Sequence, residues 1–192
     1  MDYYNTIIED NIDVLRQGVD LIEEIGNCLY SNEKPPFLTN GVGSHFRHCI
    51  DFYNSFLSSF ETGKVNYALR KRNRLIETDG SVAIFKIESI IKGLRRLSPA
   101  DLRRQVQVIV EDSSAPADSS VWSGSTVMRE LQSLLNHTTH HYAIIALALR
   151  LQGFNPSEEF GVAKSTLSYL RKSAWPLRRV GFKGQPHLQP AD

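Results

Sequence analysis

The sequence predicts an all-α fold, an antiparallel four-helix bundle, and three observations carry that prediction. Four long segments repeat apolar residues at steps of three and four, the spacing of one stripe along a helix. No strand-like run is long enough to build a sheet core, although one short β-hairpin is predicted. The connections between the helices are very unequal in length, which implies at least one crossover.

The first helix spans Tyr3 to Leu29, with Ile7, Ile8, Ile12, Leu15, Val19, Ile22, Ile25 and Leu29 as its stripe. Pro35 and Pro36 cannot continue a helical hydrogen-bond ladder, so the chain must turn there. Thr39 and Asn40 are candidate N-caps for a second helix reaching Phe60, with Val42, Phe46, Cys49, Tyr53, Phe56, Leu57 and Phe60 inward and Gly63 as its stop. Residues 64–80 are polar, basic and without a clean period, and read as a long loop rather than a core element. Long loops in compact domains are uncommon unless functional.

Asp79 or Ser81 then caps a third helix with Val82, Ile84, Phe85, Ile87, Ile90, Ile91 and Leu94 apolar, ending at Arg95 and Arg96. Residues 105–110 alternate and are rich in β-branched side chains, so they predict one arm of a hairpin whose other arm is 119–123. Thr126 begins the fourth and longest helix, with Val127, Leu131, Leu134, Ile145, Leu149 and Leu151 apolar and Gly153 beyond its end. A short amphipathic helix is expected over 161–172, and 173–192, with dilute apolar content, reads as a C-terminal tail. The organisation is therefore one helical domain over 1–172 and an extension over 173–192.

At 192 residues and 41% hydrophobic, the chain suffices for one ordinary core. Lys and Arg number 22 against 21 for Asp and Glu, so no global field draws nucleic acid or an anionic membrane. The one basic cluster, Arg70 to Arg74, has only Tyr67 as a neighbouring aromatic, and no nucleic-acid partner is expected. The absence of an 18-residue apolar run and the acidic start of the chain argue for a cytoplasmic protein without a membrane partner. Cys28 and Cys49 sit in helical patterns with no CxxC spacing, so they read as small core residues. Exposed aromatics near Tyr3, Tyr4 and Trp175 permit a homodimer.

Five of the six histidines fall in two helical segments. On the fourth helix the inward stripe runs Leu134, His137, His141, Ile144 or Ile145, and Ala148. Four residues make roughly 400° of rotation and about 6 Å of rise, so His137 and His141 share one face a turn apart. His140 lies at the stripe's edge, where it could orient a ligand or face solvent. On the second helix His45 and His48 are three apart in the inward half.

Buried imidazoles need their nitrogens satisfied and cannot all be protonated cheaply in a low-dielectric core. A divalent cation meets both demands because it takes neutral imidazole as ligand, and imidazole suits zinc, nickel, iron and copper alike. The plainer alternative is a polar core pocket in which the histidines bond to one another or to the backbone. Thr138 follows His137, so the HExxH signature of zinc proteases is missing.

Gly43 to Tyr53 on the second helix (Gly-Ser-His-Phe-Arg-His-Cys-Ile-Asp-Phe-Tyr), the loop from Tyr67 to Asp79, and Arg129-Glu-Leu with Asn136-His-Thr-Thr-His-His-Tyr-Ala together resemble the DinB/YfiT-like superfamily of metal-dependent enzymes. The resemblance covers most of 1–172. It implies a four-helix bundle of up-down-down-up connection and a divalent metal held by His48, His137 and His141, with His45 as competing ligand and His140 as a further neighbour. Family members include thiol-dependent S-transferases, a thiol-dependent isomerase and metal-binding modules of sulfoxide synthases, so membership does not choose a reaction.

Three protein ligands leave a position open for water or a thiolate, which suits catalysis. A metal-dependent transferase or hydrolase acting on a small molecule, with a small-molecule thiol as second cofactor, is the expectation. Tyr67, Arg70, Arg72 and Glu77 are candidate substrate-binding residues: the arginines could clamp a carboxylate or phosphate, and Tyr67 and Glu77 could move a proton. The loop could equally be a solvated basic surface paired with Glu77 and Asp79. The competing class is a non-catalytic binding or stress-response module whose metal is structural or absent.

Overall fold

The computed structural model describes residues 3–32, 41–69, 72–109 and 122–172. They form six helices: α1 (Tyr3–Tyr30), α2 (Val42–Ser58), α3 (Arg74–Thr78), α4 (Gly80–Leu94), α5 (Val127–Leu151) and α6 (Lys164–Lys172). Three strands, β1 (Lys64–Asn66), β2 (Gln105–Ile109) and β3 (Ser123–Thr126), make a small sheet in the order β1-β2-β3. The protein is thus mostly helical rather than all-α.

The four long helices appear where the apolar steps place them. α1 packs on α4 and α5, and α2 packs on the same two. Ile12, Leu15, Phe46, Tyr53, Ile87, Ile90, Leu131 and Ile145 are all buried in the shared core. At its centre lies Asn11, fully buried and fully used: its Nδ2 donates to the carbonyls of Ile7 (2.8 Å) and Leu131 (3.2 Å), and its Oδ1 accepts from the Tyr53 hydroxyl at 2.7 Å. This one side chain ties α1 to both helices that carry the histidines. No helix among the described residues is long and apolar enough to cross a membrane.

Several expectations change in detail. α1 kinks at Gly26 (φ 64°), and beyond the kink Cys28 is exposed while Tyr30 is buried; Cys49 on α2 is buried. Gly41 caps α2, and Thr39 and Asn40 lie outside the described residues. Phe85 is 69% exposed because two residues before Ile87 is the opposite side of α4. Leu151, the last residue of α5, is 48% exposed. Asp79 caps α4 through its side chain, accepting from Ser81 and Val82, and Thr126 caps α5 by accepting from the Arg129 amide. Gly153 adopts φ 85°, the left-handed geometry expected just beyond a helix end.

The stretch 64–80 is the main correction. It is not one loop: Lys64–Asn66 pairs in parallel with Gln107–Ile109, and the Tyr67 amide continues the ladder to the Ile109 carbonyl at 3.0 Å. α3 follows, capped by Asn73, whose side chain accepts from the Leu75 amide at 3.0 Å. Val65, Tyr67 and Ile76 are buried. The predicted hairpin exists, with Ser123–Thr126 as the described part of its second arm, and 119–121 of the predicted arm lie outside the described residues. The short helix over 161–172 starts at Lys164 and buries none of its residues, and the extension 173–192, with Trp175, lies outside the described residues.

Candidate metal centre

α2 and α5 run against each other with their histidines facing across the contact. On α2, His48 falls one position before Cys49, which is buried at the helix contact. On α5, His137 and His141 flank Thr138, which is buried with its side chain toward Cys49 and Tyr53. The buried interleaved residues fix the rotation of both helices, and that rotation turns the imidazoles toward one point. One donor nitrogen from each of His48, His137 and His141 lies within 4.8 Å of the other two. The ring centroids are 4.6 Å apart for His48–His141 and His137–His141, and 5.0 Å for His48–His137. All three rings are half-buried, and Nε2 of His137 is sealed from solvent.

The donor set fits a divalent ion. Metal–imidazole bonds are about 2.1 Å, so nitrogens sharing an ion lie at most about 4.2 Å apart. The three donor atoms, all within 4.8 Å of one another, are gathered close to that range. Burial, followed by the nearby imidazoles of His137, His48, His45 and His140, pulls the His141 pKa down to about 3, so its ring stays neutral at ordinary pH and keeps a lone pair to give.

His45 takes a different place from His48. Its Nδ1 is 2.9 Å from Nδ1 of His141, so it touches the trio from outside. Burial, then His140 and Arg47, lowers its pKa as well. When His45 accepts the proton of His141 Nδ1, the tautomer of His141 is fixed and Nε2 is its free donor atom. His140 is exposed, with its ring 5.5 Å from that of His141. The Cys49 thiol is pushed up to about 12 by burial, which makes it a poor nucleophile beside the trio.

A cavity of about 390 Å³ opens against His137. Phe52, one turn beyond His48 on α2, stacks on Tyr67 at 5.0 Å and meets the His137 ring at 4.4 Å, and both aromatics line the cavity. Tyr67 donates to Glu130 Oε2 at 2.9 Å, and Ser125 donates to Glu130 Oε1 at 2.5 Å. Burial, reinforced by the Glu130 carboxylate, holds the Tyr67 hydroxyl protonated far above its ordinary range. Arg129 and Ser133 complete the polar lining. A larger groove of about 940 Å³ between α2 and α4 contains no histidine, so the chemistry points to the smaller space.

The four substrate-binding candidates separate. Tyr67 reaches the cavity through β1. Glu77 does not: it accepts from Arg47 Nε at 2.8 Å, and the same guanidinium reaches Asp51 at 3.1 Å, which makes it a partner of α2 rather than of the loop arginines. Arg72 is exposed, and Arg70 lies outside the described residues. Sequence reasoning passed over Glu130, Phe52, Ser125 and Arg129 as site residues. A signal existed for two of them: Glu130 lies seven residues before His137 on one stripe, and Phe52 four after His48.

The fold and the site define a mostly helical protein with a three-histidine cluster beside a cavity lined by aromatic and polar side chains. No protein-family model matches the chain, and comparison with curated proteins and with solved structures finds no match either.

Proposed function

We propose that this protein is a divalent-metal-dependent enzyme of the DinB/YfiT-like type that acts on a small molecule, as a thiol-dependent transferase or a hydrolase. The observation that carries the reading is the meeting of three imidazoles from two helices, one of which, His137, also lines a cavity of small-molecule size. His48, His137 and His141 would hold zinc, nickel or iron. A bound ion supplies Lewis acidity and an open position in which a thiol or water loses its proton near neutral pH.

The chain's own residues do the rest. His45 orients His141 through Nδ1. Phe52 and Tyr67 form a flat wall that keeps water from the ligand's apolar part. Glu130 keeps the proton on Tyr67 Oη and fixes that ring's position. An up-down-down-up bundle of α1, α2, α4 and α5, a cytoplasmic location and a homodimer of the whole chain belong to the same reading.

Elemental analysis of protein purified without a histidine tag tests it. About one equivalent of a first-row divalent metal is expected, lost in His137→Ala while the helical circular dichroism remains. No stoichiometric metal, or unchanged metal in the variant, ends the reading. With metal present, pairing thiol cofactors with electrophiles, against esters and amides, separates transferase from hydrolase. Loss of folding on chelation with no turnover in any screen would instead make the metal structural.

A further inference from the structure

We propose that the cavity beside His137 takes a small molecule bearing an ammonium group, which seats against Glu130; the inference deepens the reading above and rests on it only for the molecule's reacting end. Glu130 is 6% exposed, yet both hydrogen-bond donors on it, Tyr67 Oη and Ser125 Oγ, are neutral. Hydroxyl donors spread the carboxylate's charge without cancelling it. Among the described residues no cationic side chain comes within ion-pair distance of it, and Arg129, which lines the same cavity, is solvent-exposed. A buried carboxylate without a counter-charge is costly, and a charged ligand in the adjoining space removes that cost.

Two further features fit a cation. A carboxylate offers about four lone-pair sites, and two hydroxyls leave room for an ammonium N–H. The stacked rings of Phe52 and Tyr67 line the same space, and ring faces attract cations. Glu130 and His137 are seven residues apart on α5, about 10 Å of rise. A ligand with its ammonium on Glu130 and its reacting group at the histidines is therefore about 10 Å long, a length that a cavity of about 390 Å³ accommodates.

Three probes of similar shape test this on the full chain stripped of metal by a chelator: 2-phenylethylammonium, 2-phenylethanol and phenylacetate, titrated by NMR. The ammonium probe should bind at least about tenfold more tightly than the alcohol, as expected when one partner of a buried charge pair is removed. Glu130→Gln should erase that preference, and Ser125→Ala, which keeps the carboxylate, should retain it. Equal binding of amine and alcohol, no binding by any probe, a preference for phenylacetate that Arg129→Ala removes, or a preference surviving in Glu130→Gln overturns the proposal. If Glu130→Gln loses its helical signal, the wild-type comparison decides alone. Metal content measured on the same preparations before chelation reads the histidine site separately: metal without amine preference sinks this inference alone, and amine preference without metal sinks the metalloenzyme reading alone.

Discussion

At the scale of single residues, an imidazole in an apolar helix face must use both nitrogens, and the contact of His141 Nδ1 with His45 would leave Nε2 to an ion at the trio. That division separates two kinds of histidine on α2. His48→Ala removes a donor and should abolish stoichiometric metal binding. His45→Ala removes only the orienting partner and should weaken metal affinity by about 10- to 100-fold, read by competition with a chromophoric chelator; equal effects of the two substitutions would erase the distinction. The pair His137 and His141 was legible from its spacing, whereas spacing left His45 and His48 open and His48 was preferred only through the family resemblance. Glu130 was not legible, because it lies in the first turn of α5, where an acidic residue already has a reason to exist in the positive end of the helix dipole. Asn11 was illegible for a related reason: a polar residue inside a stripe looks like an exposed one until its partners on α2 and α5 arrive. Asn11→Ala removes the second donor from the Leu131 carbonyl and takes the acceptor from the buried Tyr53 hydroxyl, and should cost about 2 to 4 kcal/mol in urea denaturation.

Among the elements, the four long helices were readable because each repeats its apolar signal over several turns. The segment 64–80 was not, since β1 and α3 bury only Val65 and Ile76, with Tyr67 just beyond the strand, and three buried residues make no period. The parallel pairing that orders β1 comes from β2, about forty residues later in the sequence. Asp79, between α3 and α4, gives this region a pH signature. Hydrogen bonds from the Ser81 side chain and backbone hold its carboxyl below the usual range. A carboxyl depressed in the folded state stabilises above its unfolded pKa and loses that contribution as pH falls through the folded one. Asp79→Ala should therefore lower the thermal midpoint near neutral pH, and the gap from wild type should close as pH falls below about 4. A gap that stays constant as pH falls below about 4 would show that the cap acts without its charge. Gly43, on the α2 side, has no such latitude: a Cβ there would lie 1.9 Å from the Glu77 carbonyl oxygen. Gly43→Ala should force α3 away from α2 and destabilise by about 1 to 3 kcal/mol despite the gain in helix propensity.

For the molecule as a whole, the histidines join two helices, α2 and α5, that are separated in sequence by α3, α4 and the sheet. An ion held by both ends of that separation binds the folded chain and has nothing comparable to bind in the unfolded one, so its free energy adds to folding. At free metal about 100-fold above its dissociation constant the gain is about 2.7 kcal/mol. For a domain of this size, each 1 kcal/mol moves the thermal midpoint by about 2 to 4 °C. Chelation should therefore lower the wild-type midpoint by about 5 to 11 °C, and re-addition of metal should restore it in a concentration-dependent way. The His137→Ala variant supplies the control, because it retains Phe52, Tyr67 and the apolar contact between α2 and α5 but has lost a donor. Its midpoint should not respond to chelator or metal. A wild-type midpoint that ignores the chelator would mean that packing alone holds α2 on α5 and that the imidazoles satisfy one another, as His45 and His141 already do at 2.9 Å.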